Sequence, residues 1–124
     1  MTLAYWETVG GTLIEEFPLV KRGPQNSARY VDGLVILGEQ KIRIPPDRAS
    51  EFDPSLLVGK DLIAVQAKDR RLGMYLMGQA LFTRDLLQRF TPRSIKSIAL
   101  CRKDDDVLRP LLEGHSGLEV VVMP

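Results

Sequence analysis

The sequence predicts a mixed α/β fold, and three observations predict it. Three strand-like runs fill the first half with no room for helices between them. A long helical pattern follows at residues 72–90. Two further strand-like runs are then each reached through a helix. Strands joined without helices favour an antiparallel meander, whereas strands joined through helices are added parallel to a neighbour.

The elements follow in order. Residues 3–8 suit a short opening helix that stops at Gly10-Gly11. Residues 12–20 are rich in β-branched and aromatic side chains, and Pro18 near the end implies an edge position or a bulge. The turn formers of 21–28 mark a loop. Residues 29–37 form a second strand and 41–44 a short extension, and the prolines of 45–54 punctuate an irregular excursion. In 61–68, Ile63, Val65 and Ala67 point one way, while Leu62, Ala64, Gln66 and Lys68 point the other. At 100° per residue, Leu72, Leu76, Gln79, Thr83, Leu86, Leu87 and Phe90 share one face of the long helix. Residues 94–101 form a strand. Asp106 is placed to cap a short helix over 107–113, and 118–123 form the last strand.

The 124 residues fit a single domain spanning 1–124, large enough for a core without metal or disulfide staples. No stretch is long and apolar enough to span a bilayer and no secretory signal opens the chain, which favours a cytoplasmic protein. Cys101 is the single cysteine, so no intrachain disulfide forms. With 17 basic against 16 acidic residues, the net charge of +1 excludes a protein that grips nucleic acid by overall charge alone. Small basic groups (Lys21-Arg22, Arg70-Arg71) leave room for a local basic rim.

Three features stand out chemically. Asp32 lies within an apolar strand, where an acid is costly unless compensated. Gln66 and Lys68 project from one face of the next apolar strand. Gln79 interrupts the buried stripe of the long helix. Taken singly, a strand-end lysine often snorkels to solvent and an aspartate before glycine often serves a turn.

In combination these residues resemble the nuclease superfamily written PD-(D/E)-x-K, the restriction-endonuclease-like fold. The matching strands read Tyr30-Val31-Asp32-Gly33-Leu34-Val35-Ile36-Leu37 and Leu62-Ile63-Ala64-Val65-Gln66-Ala67-Lys68, and the supporting helix carries Gly78-Gln79. Gln66 replaces the usual acid, so the pattern is Q-x-K, similar to the Mrr-type endonucleases. The resemblance implies an αβββαβ core with an added short helix and strand, its mixed sheet flanked by helices. It also implies hydrolysis of phosphodiester bonds, with DNA as partner and Mg²⁺ (or Mn²⁺) as cofactor.

Under that resemblance Asp32, the Gln66 side-chain oxygen and one further acid would hold the ion, which takes hard oxygen ligands. Lys68 would orient water or stabilise developing charge, and Gln79 would contact the phosphate or position Lys68. The further acid is Glu16, with Glu7 and Glu15 as rivals. Strand alternation turns Glu15 and Glu16 to opposite faces.

The other candidates have plainer explanations. His115 lies in a glycine-rich turn, Cys101 suits a small core position, and Asp104–Asp106 suit a helix cap. Met74, Met77 and Leu81 form a second apolar stripe, fit either for burial under this chain or for a homodimer or partner protein. A nucleic-acid-binding or assembly module that keeps the fold without catalysis is the alternative to an active nuclease.

Overall fold

A computed structural model describes residues 1–124. The elements run α1 (Thr2–Val9), β1 (Thr12–Val20), β2 (Arg29–Ile36), β3 (Arg43–Ile44), β4 (Asp61–Ala67), α2 (Met74–Leu87), β5 (Ser94–Cys101), α3 (Leu108–Glu113) and β6 (Leu118–Val122). Short 3-10 turns cover Pro46–Glu51, Pro54–Leu57 and Gln88–Phe90. The strands form one mixed sheet in the order β3-β1-β2-β4-β5-β6.

The meander is antiparallel from β1 to β2 to β4, and β5 and β6 are then added in parallel, as the connections require. β3 pairs in parallel with β1 through Leu13 and Ile14 alone. Beyond that contact the outer edge of β1 is unpaired, which is where Pro18 sits. The register of β1 on β2 shifts between Pro18 and Val20, so the proline falls at an irregularity and costs no rung of the ladder.

Alternating side chains divide the core between the two faces. Tyr5 and Trp6 of α1 cover one face, over Leu13, Val35, Ile63, Val65, Ile98 and Leu100. On the other face, Phe17, Leu34, Leu57, Leu62 and Leu87 pack under the 3-10 turns and the end of α2. The same face continues to Leu76, Ala80, Ala99, Leu112 and Val120 beneath α2 and α3. Each fully buried Leu, Ile or Phe contributes about 1.5–3 kcal/mol. Both crossover helices lie on this one face, as two crossovers of the same hand must when they step the same way along a sheet.

Glycine is required at the α1–β1 turn. Gly11 has φ +78°, and a Cβ there would stand 2.5 Å from the Ile36 carbonyl oxygen. Trp6 Nε1 donates to the Gly11 carbonyl at 2.9 Å, holding α1 down on the turn.

Several expectations are revised. α2 begins at Met74, and its last turn tightens into the 3-10 geometry of Gln88–Phe90. Its buried residues are Leu76, Ala80, Thr83 and Leu87, so Gln79 and Leu86 lie on the flank of the stripe and are half-buried. The short helix is capped by Asp105 rather than Asp106: Asp105 Oδ1 accepts from Val107 N at 3.0 Å and Leu108 N at 2.8 Å. Asp104 pairs with Arg109 at 2.8 Å, which pulls its carboxyl below the usual range. The Met74–Met77–Leu81 stripe is split. Met77 and Leu81 pack against the α2–α3 core, while Met74 stays exposed.

Candidate functional site

β2 and β4 bond to each other from Ile36–Leu62 to Gly33–Val65 and then part. Beyond that point β2 continues against β1 and β4 continues against β5. The result is a fork in the middle of the sheet, with unpaired backbone facing inward from both prongs. Such groups must be satisfied, and here side chains do it. Asp32 Oδ2 accepts the Ala67 N–H at 2.8 Å. Gln66 Nε2 donates to the Tyr30 carbonyl at 3.3 Å and to Thr83 Oγ1 at 2.9 Å.

The strand pattern changes at the same level. Ile14 and Phe17 lie three residues apart yet share one core cluster, as do Val31 and Leu34. Perfect alternation would put each pair on opposite faces. Glu15–Gly33 and Phe17–Val31 are paired on either side of the break, so Glu16 and Asp32 hold the intervening positions, and the Asp32 carboxylate turns the other way, to β4. Glu16 takes a left-handed conformation, φ +50°, which a residue with a Cβ adopts only when its surroundings impose it. Alternation therefore fails between Ile14 and Phe17, while Glu15 lies opposite Gly33 toward α1 and Glu16 lines the concavity beside Phe17.

The three glutamates have different surroundings. Glu7 is paired with Lys41 at 2.6 Å, and Glu15 is paired with Arg43. Glu16 is exposed and in no ion pair.

Gln66 and Lys68 share the α2 face, as alternation requires. Gln66 is 4 % exposed, with its amide nitrogen committed to β2 and α2. Lys68 is exposed, and its ammonium sits 5.5 Å above the Tyr75 ring centre, within cation–π range. Its backbone N–H donates to the Leu100 carbonyl at 3.0 Å, which keeps this end of β4 attached to β5. Gln79 comes from the first half of α2 and lines the same cleft as Gln66 and Thr83, about 740 Å³ in volume. Asp32 and the Gln66-Ala67-Lys68 tripeptide thus adjoin at the fork, Glu16 lies on β1 beyond the other edge of β2, and Gln79 lines the cleft on the Gln66 side.

No group of three or more His, Cys, Asp or Glu side chains converges anywhere in the protein. At the fork the carboxylate is Asp32, whereas Glu16 lies on β1, against the other edge of β2. In an extended strand a residue's N–H and C=O leave on the same side, so the Ala67 carbonyl points toward Asp32 as its N–H does. A single carboxylate with a backbone carbonyl would leave most of the shell of a hard cation such as Mg²⁺ to water.

The sequence reading did not single out Thr83 and Tyr75. A threonine inside the buried stripe of a helix that faces a glutamine-bearing strand was the available signal for the first. Tyr75, beside Met74 at the start of α2, carried none. No family model, no curated protein and no solved structure matches the chain.

Proposed function

We propose that the protein is a small metal-dependent nuclease acting on DNA, with the β2–β4 fork as its centre. The observation that carries this reading is the 2.8 Å bond between Asp32 Oδ2 and the Ala67 N–H, which brings a strand-borne acid against the Gln66-Ala67-Lys68 tripeptide. The element order and the α2 helix behind the tripeptide agree with the PD-(D/E)-x-K likeness of those residues.

On this reading Asp32 and the Ala67 carbonyl would hold Mg²⁺ or Mn²⁺, with Glu16 as the further acid if it reaches around β2 and Gln66 as a neutral donor or as the anchor of the fork. A bound ion would supply Lewis-acid polarisation of the phosphate and a lowered pKa for bound water. Lys68 places a positive charge where negative charge develops on the phosphate oxygens, an effect of the kind whose loss lowers kcat about 10²–10³-fold. The Tyr75 ring restricts where the Lys68 ammonium rests and so pre-organises it. Gln79 presents an amide to the phosphate backbone from the cleft wall.

A second reading, a nucleic-acid-binding module without catalysis, has two observations in its favour: the neutral Gln66 and the lack of a three-carboxylate cluster. The two separate in one assay, with plasmid and single-stranded circular DNA incubated with Mg²⁺ or Mn²⁺. The nuclease reading expects nicking or degradation that EDTA stops and that Asp32→Ala and Lys68→Ala each abolish. Cleavage unchanged in both variants removes the fork from the mechanism. Salt-sensitive binding without cleavage supports the module.

A further inference from the structure

Two concavities lie side by side on the α2 face of the sheet. The cleft of about 740 Å³ is floored by Gln66 and walled by Tyr30, Tyr75 and Phe82. Its neighbour, about 1030 Å³, lies between the end of β1 and the 3-10 turns and takes in Arg22 and Arg89. Leu19, Ala28 and Tyr30 line both, so the two form one groove.

Two properties of this groove are unusual together. Tyr30, Tyr75 and Phe82 are 58 %, 74 % and 63 % exposed, three large aromatic side chains around one cleft. A single exposed aromatic residue is ordinary, but a cluster rimmed by polar groups marks a binding surface. The second property is charge. Lys21, Arg22, Arg29 and Arg89 line the groove, Lys68 stands on Tyr75, and none of the five belongs to any of the protein's ion pairs. Elsewhere the cations are largely matched to acids, for example Lys60 with Glu39 and Lys96 with Glu119. Glu16 is the only acid that lines either concavity. Unmatched positive charge is therefore gathered along this groove in a molecule of net charge +1.

The geometry points to a groove that binds single-stranded nucleic acid, its phosphates against Arg22, Arg29 and Arg89 and its bases stacked on Tyr30, Tyr75 and Phe82. This deepens the nucleic-acid reading above and rests on it. Exposed π-faces and free cations are the two components of single-strand recognition, and stacking tolerates any base. A duplex keeps its base faces stacked inside and offers only phosphates to the same surface. The groove reaches Gln66, so a strand lying in it passes beside the fork.

The test is fluorescence anisotropy of a labelled oligothymidylate and of a duplex of equal length, both in EDTA so that binding is read without cleavage. The single strand is expected to bind more tightly than the duplex, and Tyr75→Ala and Phe82→Ala are each expected to weaken it about tenfold. Both side chains are exposed, and a thermal melt checks that the variants fold. Arg29→Ala is expected to flatten the salt dependence. Equal or tighter duplex binding overturns the proposal, as does unchanged affinity in both aromatic variants. So does a wild-type dimer in sedimentation that Phe82→Ala dissociates with no loss of oligonucleotide affinity, since a second copy then occupies the groove. Single-strand binding by a protein that never cleaves sinks the catalytic reading and leaves this one standing. Cleavage with duplex preference does the reverse.

Discussion

Gln66 Nε2 donates to Thr83 Oγ1 at 2.9 Å inside the core, and that bond couples the end of β4 to the middle of α2. A buried amide is costly without partners. In Thr83→Val a methyl replaces the hydroxyl, leaving Nε2 with the longer bond to the Tyr30 carbonyl. The variant is expected to lose about 1–2 kcal/mol of unfolding free energy, read from urea denaturation, and Thr83→Ser is expected to keep most of it. Equal stability of wild type and Thr83→Val would show that the bond contributes nothing net.

Glu16 sets stability against function. Its left-handed backbone strains any residue with a side chain, so Glu16→Gly is expected to gain about 0.5–1 kcal/mol in a denaturation curve. If Glu16 also holds the ion, the same variant loses metal-dependent cleavage. A stabilised variant of full activity would remove Glu16 from the site, and a destabilised one would show that its side chain makes contacts worth more than the strain.

Asp61 governs an acid-side dependence. The Arg93 guanidinium holds its carboxyl well below the usual carboxylate range, with the Ser94 hydroxyl adding to the effect through a 2.6 Å bond. The folded-state value lies below the unfolded one, so the pair's contribution is fully present above the unfolded value of about 3.9 and is lost as pH falls toward the folded value. The stability margin of wild type over Asp61→Asn is therefore expected to be flat near neutrality and to shrink below about pH 4. Denaturation at a series of pH values measures it. A margin that stays constant into acid would show that the charge on Asp61 is not what the pair depends on.

Most of the fold was legible because its causes are local. The β-branched runs of 12–20 and 94–101, and the absence of room for helices in the first half, lead directly to the observed strands and to their antiparallel or parallel sense. The site was less legible, because it depends on departures from regularity. Alternation places Gln66 and Lys68 correctly on one face. It fails between Ile14 and Phe17 and between Val31 and Leu34, a break that belongs to two strands at once, and Gly33 and Pro18 beside it do not fix its place. The helical wheel shows where the buried stripe of α2 runs but not where its edge falls, and Gln79 lies on that edge. The groove is assembled from residues far apart in sequence, such as Arg22, Tyr30 and Arg89. In one dimension these are solvated surface residues, and only the folded chain shows that their charges go unmatched.

The Ala67 amide is bonded to a side chain where a regular sheet would supply a carbonyl. Any ligand that draws on the Asp32 carboxylate must share it with that N–H or release it. The amide proton resonance of Ala67 and its rate of exchange with solvent thus report on Asp32 directly. Occupancy at the fork can be followed at one backbone position, without catalysis and without a label.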